Sequence, residues 1–316
     1  MLLSSGGYLN YNSILKLRFS QRVQKISINA GFTCPNRNGR LGFGGCTYCN
    51  NQTFIPAYCL PTKSVEQQLE DGIAFFHHKY NAQLYFAYFQ SYTSTYSDFE
   101  NLRNIYAAAL SHPKVVGLVV GTRPDCVDDN LLNYFQELAK KYYVMIEYGI
   151  ESTDNQTLKF INRGHDYHCA RAAIEATAAR GINVAAHLIL GLPGENYPKI
   201  LAHAAKVSQL PLTALKLHQL QIVRGTKMAQ QFAEQPEIFS FYTLDEYIDL
   251  CIDFLELTNP NIAIERFISQ SPKELLVVPH WGGIKNFEFN HKLIKRMQAR
   301  ATWQGKKFCK LPDGKI

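Results

Sequence analysis

The chain lacks the features of a secreted or membrane protein. Residues 1–10 carry no basic residue and no apolar run, so they do not have the plan of a secretory signal. No uncharged apolar stretch approaches the roughly 20 residues of a membrane span. A cytoplasmic location without membrane contact is therefore expected. Thiols stay reduced there, so clustered cysteines favour metal over disulfide. Five of the eight cysteines (Cys59, Cys126, Cys169, Cys251 and Cys309) are scattered and read as small apolar residues. Acidic residues are missing from residues 291–310, which hold seven Lys or Arg. Such a basic tail suits nucleic acid or anionic lipid, or else is a solvated, poorly ordered end. Trp303 and Phe308 lie among its charges, which favours contact with bases or a docked surface.

The other three cysteines share residues 31–50, GFTCPNRNGRLGFGGCTYCN. Eleven residues separate Cys34 from Cys46, and two separate Cys46 from Cys49. Gly39, Gly42, Gly44 and Gly45 lie between the first two, so the backbone can wrap closely around a bound group. Three thiolates from one loop suggest a metal or cluster. An iron–sulfur cube usually takes four cysteines. With three, one iron stays open to a substrate or cofactor. The same spacing also admits zinc closed by a fourth His or Cys, a redox pair, or a structural loop.

The chain has 316 residues and is 46% hydrophobic, enough for one α/β barrel or two smaller domains. Residues 24–30 (QKISINA) alternate polar and apolar and read as a strand that feeds the cysteine loop. Ser64 opens a helix with Gln67 as its capping-box partner, and Val65, Leu69, Ile73, Phe76 and Tyr80 line one face. Strands are expected at 84–90, 115–121, 143–148, 182–190 and 215–221, with a further one at 262–267. Helices are expected around 99–109 and at 128–141, 166–180, 198–209 and 244–257, the third ending at Gly181. Alternation from 24 to about 221 implies parallel strands with right-handed crossovers. Six such units make a partial α/β barrel over residues 24–270. An N-terminal extension (1–23) and a C-terminal extension with the basic tail (271–316) flank it. A closed eight-unit barrel is the structural alternative. Ligands of such sheets bind at the carboxyl ends of the strands. The candidates there are the cysteine loop and residues 90–93, 122–125, 149–152, 191–195 and 218–219. All are expected on the face that carries the cysteines, which favours a cluster over zinc.

On these elements the chain resembles the radical S-adenosylmethionine (SAM) superfamily. In detail it is similar to the YhcC/YtqA type, relatives of the Elongator catalytic subunit and of oxygen-independent coproporphyrinogen oxidase. The carriers are the cysteine loop, FQSYTSTY from Phe89, GTRPDC from Gly121, IEYGIES and INRGHDY between Ile146 and Tyr167, HLILGLPGE from His187, KLHQLQIVRGT from Lys216 and VVPHWG from Val277. The resemblance spans about residues 19–283. The spacing between the first two cysteines is longer than the commonest form, which has three residues. Glu151 stands where relatives reading ELGLQS have Gln.

The resemblance implies a partial (β/α)6 radical-SAM barrel. It implies a [4Fe–4S] cluster on Cys34, Cys46 and Cys49, whose open iron chelates SAM, and an electron that cleaves SAM to a 5′-deoxyadenosyl radical. Tyr48 falls where the superfamily puts an aromatic beside the adenine. Gln90 and Ser91 replace the usual second-strand contact to the SAM amino group. Glu151 and Arg163 match the positions for the ribose and the methionine carboxylate. Packing alone for Tyr48 and a surface helix cap for Arg163 are the bland alternatives. His187 and His218 end barrel strands and default to core histidines. The resemblance further implies transfer RNA as substrate. A carboxymethylaminomethyl side chain on wobble uridine would become aminomethyl, with a flavodoxin or ferredoxin as electron donor. The basic tail would track phosphates, and Tyr92, Tyr96 and Trp281 could stack bases. A radical enzyme on a small molecule such as a porphyrin, and a non-catalytic cluster-bearing regulator, are the rival readings.

Overall fold

The computed structural model describes residues 6–53, 55–77 and 83–310. The strands are β1 (Val23–Ile28), β2 (Leu84–Phe89), β3 (Val115–Thr122), β4 (Tyr143–Glu151), β5 (Asn183–Leu190), β6 (Ala214–Gln219), β7 (Ile222–Val223), β8 (Ala263–Arg266) and β9 (Leu276–Val278). The helices are α1 (Tyr11–Phe19), α2 (Val65–His77), α3 (Phe99–Leu110), α4 (Asp129–Ala139), α5 (Asn155–Phe160), α6 (Tyr167–Ala178), α7 (Tyr197–Val207), α8 (Lys227–Glu234), α9 (Leu244–Leu257) and α10 (Asn286–Ala299). Tyr80, expected on the α2 face, lies outside the described residues.

Strands β1 to β6 are parallel neighbours in chain order, and β8 adds a seventh parallel strand beside β6. β1 and β8 are the two edges, so the barrel is partial, not the closed alternative. The sheet nevertheless curls. Lys25 on β1 reaches Glu265 on β8 at 2.7 Å, which brings the two edges together across the inside. Alternation along β4 separates two layers. Val144, Ile146, Tyr148 and Ile150 join the core between sheet and helices. Tyr143 and Met145 face the other side and join an inner cluster.

That inner cluster closes the amino end of the half-barrel. Tyr11 and Leu15 of α1 pack there with Val23, Phe86, Met145, Ala185 and Ala263. The Tyr11 and Tyr143 hydroxyls meet at 2.9 Å, and Ile264 N donates to Leu9 O. The carboxyl end stays open. The connections that return the chain to the next helix end on Asp or Asn caps: Asp98, Asp128, Asp154, Asp166 and Asn196 each accept from a first-turn amide. Each such cap stabilises its helix by about 1 kcal/mol. Ser64 likewise accepts from Gln67 N, but the Gln67 amide turns to Asp71, so only half of the expected capping box forms.

Of the two readings of the basic segment, the solvated, poorly ordered end does not hold. It is not a loose tail. α10 lies against α9, whose Asp245, Asp249 and Asp253 recur at four-residue spacing on one face. Arg296 pairs with Asp245 at 2.8 Å and Asp249 at 2.7 Å. Arg300 pairs with Asp253, and Lys307 with Glu256. Gln304 is fully buried, bonding Asn259 O, Ile262 O and Leu9 N. Lys292 and Lys295 remain exposed. Of the scattered cysteines, Cys59 and Cys251 are buried as expected, whereas Cys309 is exposed on this terminal segment. Among the described residues no helix is long and apolar enough to cross a membrane.

Candidate active site

Cys34, Cys46 and Cys49 line one cavity at the carboxyl ends of the strands, with a volume of about 200 Å³. The turn after α5 clamps their loop. Asn36 Nδ2 donates to Asn162 O at 2.6 Å, Asn162 Nδ2 to Gly45 O at 2.9 Å, and Thr47 N to Ile161 O at 3.0 Å. Arg37 Nη2 closes the far end on Cys49 O at 3.0 Å. The loop's compactness needs glycine where side chains crowd the backbone. A Cβ on Gly42 would lie 2.7 Å from Asn36 Oδ1, and one on Gly45 2.8 Å from Arg37 Nε. Among the described residues no three His, Cys, Asp or Glu side chains gather tightly enough for a single metal ion. The three thiols share the lining of the one cavity.

Arg163 lines the same cavity beside Cys46 and is buried, not a surface cap. Its Nη1 donates to Cys46 Sγ at 3.4 Å and its Nη2 to Gly149 O at 2.5 Å, with Glu151 Oε1 3.6 Å away. Its Nε is buried without a partner, as is Nη1 of Arg123, whose other nitrogens grip Asp125 at 2.9 and 2.7 Å. Glu151 ends β4 at a bulge with φ +64, and Tyr92 follows β2 with φ +58. Left-handed backbone is costly for such residues and persists only where the surroundings hold it. Both line the cavity. Burial, then the nearby Cys46 and Glu151, pushes the Tyr48 phenol well above its usual range, so it stays a proton donor.

Tyr48, Gln90, Glu151, Arg163, His187 and His218 all line this cavity. Gln90 Nε2 also bonds Ser27 Oγ at 2.8 Å. Ser91 is buried and is not part of the cavity wall. The 191–195 loop is not either. Glu195 is buried against Ser152 Oγ at 2.5 Å and His203 at 3.0 Å. Trp281 packs on Tyr247 instead, with Nε1 on Tyr242 O.

Beneath the thiols the floor is ionic, which the sequence reading missed. Glu147 receives Lys216 at 2.6 Å, Lys25 at 2.7 Å and His187 Nε2 at 3.2 Å. Glu265 receives Lys25 at 2.7 Å and Lys216 at 3.2 Å. Burial alone would raise the Glu147 carboxyl, but the ammonium groups of Lys216 and Lys25 hold it well below the carboxylate range. Burial, then Arg266, holds His218 well below its usual range, and burial with Lys216 lowers His187. Both rings are therefore neutral near pH 7. The signal in the sequence was an ionisable residue at an inward position in an apolar strand: Lys25, Glu147, Lys216 and Glu265.

The family model described as the radical SAM superfamily matches residues 30–207, and a radical SAM C-terminal domain matches residues 212–299. The chain belongs to the radical SAM superfamily. It is 32% identical over 305 residues to YtqA of Bacillus subtilis, covering 96% of this chain and 93% of that one. It is 36% identical over 272 residues to YhcC of Escherichia coli, covering 84% and 85%. More distantly, it is 26% identical over 186 residues to the tRNA uridine(34) acetyltransferase of Dehalococcoides mccartyi, covering 55% of this chain and 39% of that one. Among solved structures, the Elp3 of Methanocaldococcus infernus with an N-terminal deletion shares the fold at TM-score 0.66 and 17% identity, over 89% of this chain and 64% of that one.

Membership of the radical SAM superfamily implies a [4Fe–4S] cluster and SAM, and the residues present fit them. The donor set is three thiols lining one cavity. Two buried guanidinium nitrogens without partners, Arg163 Nε and Arg123 Nη1, are available to anionic groups there. Cationic donors behind thiolates offset the charge that an iron–sulfur group brings. Glu151, Tyr48 and Gln90 add polar side chains to the lining, with Glu151 suited to an amine or hydroxyl and Arg163 to a carboxylate.

Proposed function

We propose that this radical SAM protein is an enzyme of transfer RNA maturation that turns the carboxymethylaminomethyl side chain of wobble uridine into aminomethyl. Bound at the site, the cluster and SAM would supply an electron and a 5′-deoxyadenosyl radical able to take a hydrogen atom from the methylene beside the side-chain nitrogen; with SAM as the two-electron oxidant and water as co-reactant, the nitrogen would be freed as the amine and the carboxymethyl group would leave as glyoxylate. The chain's own residues bind, orient and exclude water. Cys34, Cys46 and Cys49 hold the cluster. Arg163 takes the SAM carboxylate and Glu151 the ribose, with Tyr48 beside the adenine. Gln90 meets the SAM amino group. Ile189, Leu220 and Val223 give the cavity an apolar flank that keeps water from the radical. A flavodoxin or ferredoxin is the electron donor.

The observation that carries the chemistry is that all three thiols line one cavity, with Arg163 against Cys46. The substrate is supported by the distant likeness to the transfer RNA uridine(34) acetyltransferase and by an open cavity mouth flanked by Tyr92, suited to an unpaired, splayed base. The test is nucleoside mass spectrometry of transfer RNA from a deletion strain. Carboxymethylaminomethyl-uridine should accumulate and its aminomethyl products should vanish. A normal profile, with 5′-deoxyadenosine still formed by the reduced protein, would move the reading to a small-molecule substrate. A protein that never forms 5′-deoxyadenosine would be the non-catalytic regulator.

A further inference from the structure

The cavity floor holds one cation that its network leaves unmatched. Lys25 and Lys216 are neutralised by Glu147 and Glu265, which pair with both of them. Arg266, the last residue of β8, is different. Its Nη2 bonds His218 Nε2 at 3.2 Å, and its Nε is buried without a partner. Among the described residues no carboxylate pairs with it. Within this floor network, Lys25 and Lys216 are matched by Glu147 and Glu265, and Arg266 is the cation left without a carboxylate.

The hydrogen-bond roles follow from the donors. A guanidinium only donates, so His218 Nε2 accepts and its Nδ1 carries the hydrogen. Arg266 and His218 both line the cavity that the thiols line. They thus present a guanidinium and an imidazole N–H side by side, a pairing suited to a planar anion with two oxygens. Val223, Ser269 and Ser271 also line the cavity, with the Ser271 hydroxyl donating to Gln221 Oε1 at 2.9 Å. We propose that Arg266 and His218 form a subsite for a carboxylate carried on the reacting side chain of the substrate. A single unmatched positive charge suits a monoanion. The subsite would select the acidic precursor and release the product once its carboxylate is gone. The occupant, a carboxylate lost in the reaction, rests on the wobble-uridine reading above; the carboxylate site itself rests on Arg266 and His218.

The test is equilibrium binding to the cluster-loaded, SAM-bound protein without reductant, by calorimetric titration. The probes are 5-carboxymethylaminomethyluridine, 5-aminomethyluridine, N-ethylglycine and inorganic phosphate. The carboxylate nucleoside should bind at least about tenfold more tightly than the aminomethyl one, a gap of about 1.4 kcal/mol. Arg266→Gln should erase that preference, and Arg266→Lys should keep part of it, with the Tm of each variant checked first. If Arg266→Gln does not fold, His218→Phe removes the neighbouring donor and should shrink the same preference. Equal affinity for the two nucleosides, or a preference that survives Arg266→Gln, overturns the subsite. So does phosphate binding that depends on Arg266 while neither carboxylate binds. If neither nucleoside binds but N-ethylglycine does, and Arg266→Gln abolishes it, the subsite stands and the uridine reading fails.

Discussion

Removing Glu147 gives the sharpest test of the ionic floor. The carboxylate is fully buried in mid-β4, and its oxygens serve Lys25, Lys216 and His187. In Glu147→Ala, buried Lys216 keeps only Glu265 and the Tyr88 hydroxyl, each at 3.2 Å. Breaking a buried pair from one side costs about 3–5 kcal/mol, because the charge left behind stays desolvated. An unfolding entropy of roughly 2.1 cal/mol/K per residue, over 316 residues, is about 0.66 kcal/mol/K. The Tm should therefore fall by about 5–8 °C by scanning calorimetry. Glu147→Leu with Lys216→Met removes both members and leaves Lys25 on Glu265, so it should recover most of the loss. The pH dependence has a definite sign. The folded carboxyl lies below its unfolded value of about 4.3, so its contribution is complete above that pH and disappears as pH falls through the folded value. The Glu147→Ala deficit should then be constant from pH 5 to 7 and shrink only in stronger acid. A Tm change under about 1 °C, or a double variant no better than the sum of its singles, would refute the coupling.

Replacing Cys34, Cys46 or Cys49 by Ala should each abolish the brown chromophore and the roughly four irons of anaerobically reconstituted protein, whereas changes at Cys59, Cys126, Cys169, Cys251 or Cys309 should not; a wild-type chain holding one zinc and no iron would count against this. Gly149→Ala places a Cβ 2.5 Å from Glu151 Oε1 and 2.7 Å from Arg163 Nη2, so it should weaken SAM binding by about tenfold or more, as should Glu151→Ala and Gln90→Ala. Unchanged SAM affinity in all three would show the assignments to be wrong. Burial, then Arg266 for His218 and Lys216 for His187, lowers both histidines, so the unfolded chain binds more protons as pH falls below about 6.5; stability should decline toward pH 5, by at most about 1.4 kcal/mol per pH unit for each ring, and His218→Asn should flatten that slope. Lys292→Gln with Lys295→Gln should reduce the salt dependence of transfer RNA binding by up to two charges, whereas Arg296→Gln should lower Tm instead, since Arg296 is held by Asp245 and Asp249.

Local pattern carried the sheet. The apolar run of β3 and the alternation in β1 placed those strands within a residue or two of their observed ends. Even the seventh strand was visible as residues 262–267, because Ile262, Ile264 and Phe267 sit among turn residues. The cysteine loop was legible too, since its spacing and glycines are confined to one segment. The positions that sequence reading misplaced have partners far away in the chain. The basic segment looked free because the acid it meets lies on α9, about 50 residues earlier, as in the pair Arg296 and Asp245. The four-residue recurrence of Asp245, Asp249 and Asp253 was itself readable, and it asked for a basic partner.

The ionic floor carries the same lesson further. A charge in the middle of a strand covered on both faces is affordable only when it is paired, because desolvating it alone costs several kcal/mol. Lys25, Glu147, Lys216 and Glu265 each stand at an inward strand position, a signal of a paired network that the sequence reading did not use. Which charge meets which depends on the curl that brings β1 against β8, and no single window contains that curl. Arg266 follows Glu265 directly, yet it escapes the network: successive strand residues face opposite ways, and a register shift where β8 meets β6 pairs Arg266 with Lys216. That irregularity delivers Arg266 to the cavity beside His218. One short edge strand therefore contributes a carboxylate that neutralises the floor and a guanidinium left over for a ligand.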